Sequence, residues 1–352
     1  MEGDIYIVQK QLDQNLPFVL YSKPNSDLVT GLLQKNDSLY DVHDFTESGF
    51  VFASFDGSLT HLIPDAISYR IEIDSKNLGQ INSQSSSFTV DKSSKIDFEN
   101  LVTSGIKAIN QHKMKKVVLS RKETVALRDF DLLATFQKLI HLYPTAFVYC
   151  YFHPKVGTWL GATPEQLAQS NDNEFETIAL AGTQKDQGTT HVIWQTKEQE
   201  EQQFVTDYIV DKLHDKVYDL KVSAPYSVKA GTIWHIKSHI NAFFKEGINL
   251  QEIVRLLHPT PAVCGFPKEE AKVFILENEQ YDRRYYTGFL GELNQSDANG
   301  VLNSDLFVNL RSMEIEGSNA NIFIGCGITK DSIPEKEWEE SVNKSQTMKR
   351  VL

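Results

Sequence analysis

The chain has 352 residues, of which 41% are hydrophobic and 23% charged. Those proportions build an ordinary globular core and need no disulfide staples. Its formal charge of −12 argues against nucleic-acid binding, which wants a basic patch, and an anionic ligand would need positive charge supplied locally. Three cysteines, Cys150, Cys264 and Cys326, are far apart and lack C-x-x-C spacing. They argue against a disulfide framework or a zinc site and fit reduced thiols in a cytoplasmic protein. No run approaches the ~18 apolar residues of a membrane span, and MEGDIYIVQKQLDQ lacks the basic-then-apolar order of a signal peptide; no membrane association is expected.

Residues 1–95 form a first part with few motifs. Gly49 to Phe55 reads as an extended apolar segment. Ile67, Tyr69, Ile71 and Ile73 alternate with Ser68, Arg70 and Glu72, the period of a half-buried strand. The Ser- and Lys-rich stretch 82–95 reads as a loop or linker. From residue 96 onward the motifs crowd together. Phe98 to His112 has helical spacing, and Lys116 to Leu127 reads as a strand pair or one long strand. Asp131 to Leu142 is a helix ended before Pro144. Ala146 to Phe152 is a buried strand, and Trp159 to Pro164 a strand running into a turn. Phe175 to Leu180 is a strand leading to Ala181-Gly182-Thr183.

Thr196 to Asp215 carries Val205, Ile209 and Leu213 on one helical face. Leu250 to Leu257 is a helix stopped at His258-Pro259, and Pro267 to Asn278 one that begins on a proline. Leu306 to Glu314 and Asn321 to Gly325 read as strands, and 334–352 as a closing helix. Strands and helices interleave without βαβ regularity, which predicts an α+β fold around antiparallel sheet.

Two helical segments carry acids three residues apart, Glu198 with Glu201 and Glu337 with Glu340. Positions i and i+3 share a helix face, so two such faces could present oxygen ligands to Mg²⁺; a solvated surface is the ordinary alternative. Lys344 lies four residues after Glu340, the spacing of a common surface pair. Lys116 opens an apolar strand, where a lysine can serve as a base or simply end the strand. Glu165 follows Gly161-Ala-Thr-Pro. It is a general acid if burial raises its pKa, or a first-turn carboxylate if Thr163-Pro164 starts a helix. Arg311 sits within LFVNLRSMEI, where a charge needs a partner or a function. His235 stands beside Trp234, ordinarily a core position, and Gly325-Cys-Gly327 permits close backbone approach.

Taken in order, KKVVLSR (115–121), GATPEQL (161–167), TIALAGT (177–183), KEQEEQQFV (197–205), GTIWH (231–235), HPTPAVCGFP (258–267), YDRRYYTGFLGEL (281–293), NLRSMEI (309–315), IGCGI (324–328) and EKEWEESVNKSQTM (335–348) resemble the chorismate-utilising enzymes. That family holds isochorismate, salicylate, anthranilate and aminodeoxychorismate synthases. The resemblance covers roughly residues 98–352 and is looser before that. It implies a large single-domain α+β fold, with residues 1–95 packed on the same fold as the catalytic region 96–352. It also implies a Mg²⁺ that grips the ring carboxylate of chorismate.

Position by position, the resemblance makes Glu201 and Glu340 metal ligands, with Glu198 and Glu337 as companions. Lys116 becomes the residue that activates water, and Glu165 the acid that assists departure of the C4 hydroxyl. Arg311, Lys344 and Tyr286 hold the substrate's carboxylates and enolpyruvyl arm. Gly325 makes a backbone contact, His235 lies beside the ring, and Gly182, Thr183 and Ala262 line the pocket.

Within the family, Ala181 stands where aminodeoxychorismate synthases carry a nucleophilic lysine, and Lys116 is present where anthranilate synthases usually lack it. Pro261-Ala262 replaces the Val-Thr typical of salicylate synthases. The expectation is a cytoplasmic, Mg²⁺-dependent isochorismate synthase feeding menaquinone or siderophore biosynthesis, monomeric and without an amidotransferase subunit. A salicylate synthase, which also eliminates pyruvate, is the first alternative. A non-catalytic chorismate-binding paralogue and an amidotransferase-partnered aminating enzyme are the others.

Overall fold

The structure, a computed structural model, describes residues 2–77, 92–186, 188, 192–230 and 233–352. Most of the expected linker (82–91) and Gly231-Thr232 lie outside the described residues. The last residues of that linker, 92–95, belong instead to a helix, Lys92–Asn110.

Two antiparallel sheets stack face to face. The first has nine strands, in the order Gly265–Phe266, Lys116–Ala126, Asn319–Ile328, Ser312–Glu316, Gly157–Thr163, Phe147–His153, Phe18–Ser22, Leu28–Gln34 and Ser68–Asp74. The second runs Val217–Val222, Ile233–Phe244, Glu174–Lys185, Gln166–Asn171, Leu302–Val308, Phe289–Ser296, Gly49–Ala53, Thr60–Pro64 and Tyr40–Asp41, and Tyr226–Ala230 pairs with Ile233–Phe244. The first 95 residues thus supply strands to both sheets.

Side-chain alternation explains the layering. Along Phe147–His153, Phe147, Tyr149 and Tyr151 enter an aromatic layer between the sheets with Phe50, Phe52, Trp159 and Phe307. Val148 and Cys150 face outward, onto Leu133, Phe136 and Leu139 of the helix Leu132–Leu142. The second sheet is covered by the helices Thr196–Leu213 and Leu250–Leu257 through Val205, Ile209, Leu213, Ile253 and Leu257. Lys92–Asn110, Lys268–Asn278 and Pro334–Lys349 pack on the end of the first sheet around Val117, Leu119 and Cys326. The result is a helix–sheet–sheet–helix arrangement, α+β as expected. No helix among the described residues is long and apolar enough to cross a membrane.

Three local expectations are corrected. The stretch Leu306 to Glu314 is two strands in different sheets, Leu302–Val308 and Ser312–Glu316, and Arg311 lies between them with φ 48° rather than inside a strand. Thr163-Pro164-Glu165 starts no helix; it carries the chain from the first sheet to the second. The strand Ser68–Asp74 is an edge strand. Ile73 is buried but Tyr69 is 64% exposed, with Lys35 over its ring.

The two sheet-to-sheet crossings are tied to each other. Thr163 Oγ1 donates to the Val308 carbonyl (2.6 Å) and the Val308 N–H to that of Glu165 (2.9 Å). The Ala162 N–H donates to the Arg311 carbonyl at 3.1 Å. Asn309, fully buried, accepts from the Tyr149 hydroxyl (2.8 Å) and donates to the Tyr285 carbonyl (2.9 Å). Asn309→Leu keeps the branched shape but removes both bonds, leaving the buried Tyr149 hydroxyl without this acceptor while the Tyr285 carbonyl keeps the Gly288 N–H (3.0 Å). It is expected to destabilise the fold by ~1–3 kcal/mol, read as a lower urea midpoint at unchanged slope.

Candidate active site

All fourteen residues singled out in the sequence line one cleft of about 270 Å³ at the joint between the sheets. Lys116 reaches it from the start of its strand, Glu165 and Arg311 from the two crossings, and Gly325 from Asn319–Ile328. Gly182, Thr183 and His235 come from the paired strands Glu174–Lys185 and Ile233–Phe244. The register slips between Ala181 and Thr183, at Gly182 with φ 71°, a conformation that suits glycine. Ala262 and Tyr286 complete the wall from loops.

The acid pairs sit in the opening turns of two helices, Thr196–Leu213 and Pro334–Lys349. Glu198 Oε2 accepts from the Gln195 N–H at 3.0 Å, closing a capping box at that helix start. Glu201 Oε1 lies 3.0 Å from Lys116 Nζ, and Glu340 Oε1 lies 2.6 Å from Lys344 Nζ, which also donates to the Gly325 carbonyl. Ligand atoms of Glu337, Glu340 and Cys326 all fall within 4.8 Å of one another.

The Lys344 pair thus lines the cleft, with the Lys344 side chain 21% and the Glu340 side chain 44% exposed. Burial opposes the Lys344 charge, but Glu340 outweighs it and the pKa rises. Burial likewise opposes the Glu340 charge, yet Lys344 and Arg311 bring that carboxyl down. Burial, with Glu340 beside it, pushes Glu337 up.

Glu165 is 9% exposed, and burial raises its pKa to about 7 against a hydrogen bond from Thr260 and the charges of Lys116 and Arg311. It is thus partly protonated at neutral pH, as a general acid must be. His235 is held near 4 by burial and by Arg311, so its imidazole is neutral. Its Nδ1 lies 3.1 Å from the Gly182 carbonyl, an acceptor only, which makes Nδ1 the donor and leaves Nε2 as an acceptor. Arg311 makes no side-chain hydrogen bond or ion pair within 4 Å among the described residues. Burial pulls its pKa down, but an arginine stays protonated in proteins, so it is a cation available to an anion.

The cleft holds Lys116, Lys197, Arg311 and Lys344 against Glu165, Glu198, Glu201, Glu337 and Glu340. A divalent cation on the carboxylates would leave the basic groups for an anionic ligand, and oxygen donors on two helix starts fit a hard ion. Sequence reasoning passed over Lys197, next to Glu198 in the same acidic run. It also passed over Thr260, whose hydroxyl lies 3.4 Å from Glu165 Oε1. Thr260 falls in the His-Pro-Thr-Pro-Ala run, where His258-Pro259 and Pro261-Ala262 were given meaning and Thr260 was not.

Residues 54–352 match the family of chorismate-binding enzymes. The chain is 29% identical to the isochorismate synthase EntC of Escherichia coli K12, over 72% of this chain and 66% of that protein. It is 30% identical to the isochorismate synthase MenF of Pasteurella multocida, over 71% of this chain and 60% of that protein. It therefore spans somewhat less than two thirds of the curated relatives it matches. The crystal structure of MenF, the menaquinone-specific isochorismate synthase of Escherichia coli, superimposes with a TM-score of 0.79 at 21% identity, covering 96% of this chain and 88% of that one; this likeness concerns the fold. The chain belongs to the family of chorismate-binding enzymes.

Proposed function

We propose that this protein is a Mg²⁺-dependent isochorismate synthase, an isomerase that converts chorismate to isochorismate. The observation that carries the reading is the meeting, in one cleft, of Lys116, a largely buried Glu165 with its pKa near 7, and the uncommitted cation Arg311. Relatives named isochorismate synthase support it.

Glu201 and Glu340 would hold Mg²⁺, with Glu198 and Glu337 beside them, and its charge there would neutralise and orient the ring carboxylate. Arg311 forks onto a substrate carboxylate, Lys344 adds a point charge, and Tyr286, Gly325, His235, Ala262, Gly182 and Thr183 shape the pocket around the ring. Lys116, in its neutral form, takes a proton from water as the oxygen bonds to C2. The double bonds shift, and the C4–O bond breaks as Glu165 gives its proton to the departing hydroxyl. One water enters and one leaves, so the product is an isomer. Neither group then needs a second substrate. The chain acts without an amidotransferase, as a monomer in the cytoplasm, and its product enters menaquinone or siderophore biosynthesis.

Purified protein with chorismate and Mg²⁺ is expected to release isochorismate without pyruvate, and EDTA to abolish turnover. Salicylate with matching pyruvate would move the protein to the salicylate synthases, and no product, with or without ammonia, would leave ligand binding alone. Lys116→Ala and Glu165→Gln are each expected to lower kcat by ~10²–10⁴-fold. A Lys116→Ala protein with full turnover would remove that residue from the chemistry.

Glu165 also leaves a signature on stability. Its folded pKa of about 7 lies above the ordinary 4.5, so the fold favours the neutral carboxyl. Below pH 4.5 the group is protonated folded and unfolded, and wild type keeps full stability. As pH rises through 7 the folded state must bury a charge. Relative to Glu165→Gln, wild type should lose roughly 3 kcal/mol between pH 4.5 and 7, and no more above, in urea titrations of the metal-free proteins at pH 5 and 8.

A further inference from the structure

Behind the wall that carries Lys116 lies an ion pair that the proposed chemistry does not use. Glu279, just past the helix Lys268–Asn278, and Arg283 are both buried. Arg283 has five N–H donors and all five are engaged. Nε donates to Glu279 Oε2 (2.7 Å), and Nη2 to Glu279 Oε1 (2.6 Å) and the Val118 carbonyl (2.7 Å). Nη1 donates to the Val263 carbonyl (3.1 Å) and Thr287 Oγ1 (3.2 Å). Glu279 Oε1 in turn accepts from the Ser120 N–H (2.7 Å) and hydroxyl (2.9 Å). The guanidinium also lies over the Phe55 ring, 4.5 Å from its centroid.

The acceptors belong to three separate pieces of the cleft wall. Val118 is two residues along the strand from Lys116, on the same face. Val263 follows Ala262, and Thr287 follows Tyr286. All three line the cleft, and no other described side chain bonds to all of them. The strand pairing between Gly265–Phe266 and Lys116–Val117 and the bond from the Val118 N–H to the Cys264 carbonyl (2.7 Å) fix one side of the same loop, and Arg283 carries the tie on to Val263 and to Thr287.

We propose that Arg283, locked by Glu279, is a positioning residue for the isochorismate synthase reaction. It sets the strand that carries Lys116 at a fixed distance from the Ala262–Val263 loop and the Tyr286–Thr287 turn. The inference rests on the functional reading above. A planar fork with five directed donors can hold three chain segments and both Glu279 oxygens at once, whereas the three donors of a lysine ammonium are too few for all five bonds. Misplacing a reacting group by 1 Å can cost ~10²-fold in rate.

The test is Arg283→Lys, with Ser120→Ala as a milder variant that loosens Glu279 while keeping both charges. Arg283→Lys should lower kcat roughly 10–100-fold per folded molecule, with KM for chorismate and the Mg²⁺ dependence within about 3-fold. Ser120→Ala should lower kcat by a smaller factor in the same pattern, and it decides the matter if Arg283→Lys does not fold. Amide exchange should quicken in peptides covering 116–120 and 260–265 while Phe18–Ser22 stays protected. Either of two results would overturn the proposal: kcat within twofold of wild type for the folded variant, or a rise in exchange spread evenly over the sheets. If wild type converts no chorismate, the isochorismate synthase reading fails by itself. The exchange experiment then decides the clasp, a localised rise upholding it and an unchanged pattern refuting it.

Discussion

The site depends on the place where two strands leave one sheet and enter the other side by side. A β-strand's side chains alternate between two fixed faces, so a residue within a strand points either into a core or outward. At the crossings that alternation lapses. Thr163-Pro164-Glu165 and Asn309-Leu310-Arg311 leave the sheets together, bonded to each other through Thr163, Val308 and Arg311. Their charged members open onto the cleft between the layers. Glu165 and Arg311 are therefore poor in water by construction, and the same burial that shifts both pKa values follows from where the backbone changes sheets.

The lysines of the site are held in a standby arrangement. Lys116 is on Glu201 and Lys344 on Glu340, so each proposed metal ligand is neutralised by a residue proposed to act on water or substrate. A divalent cation on the carboxylates would release both lysines, Lys344 to meet an anionic ligand beside Arg311 and Lys116 to act on water. Few buried charges are left uncompensated, which matters because each unpaired one is costly. The overall charge of −12 sets no obstacle to an anionic ligand once this local balance is counted.

Local pattern alone left the acid pairs and Lys116 open between a surface role and a site role, and it was the resemblance of the ordered runs to one family that named the candidate site. Pattern supplied only that the acid pairs share helix faces and that Lys116 begins a strand, and both elements are present. What could not be read was the break after Val308. Asn309-Leu310-Arg311 has neither glycine nor proline, and it interrupts an alternating apolar run that satisfies the pattern of one strand. Only packing against the second crossing, with Asn309 filling the hydrogen bonds of Tyr149 and Tyr285, makes the break favourable. Ser68–Asp74 is a strand, as its alternation predicts, but the apolar face is not uniformly buried. It lies at an edge with little packed on its outer face. The role proposed for Arg283 was equally hidden, since two of its acceptors, on Val118 and Val263, are backbone carbonyls that no residue type announces.

The pair Gly325 and Gly327 leaves room in the cleft for the groups proposed to act. Along this strand the two glycines face the cleft, and Cys326, between them, faces the helical core. A Cβ on Gly325 would stand 2.8 Å from the Tyr286 hydroxyl, and one on Gly327 would stand 3.2 Å from Lys116 Cε. Any larger residue would push aside the groups proposed to act. The thiol on the opposite face lies near Glu337 and Glu340, but it donates to the Glu337 backbone carbonyl, and burial lifts its pKa to about 12. With no metal bound it stays a protonated thiol packed in the helical core. The acid pairs on the two helices offer carboxylate oxygens, which favour a hard ion, and Mg²⁺ is the hard ion proposed above.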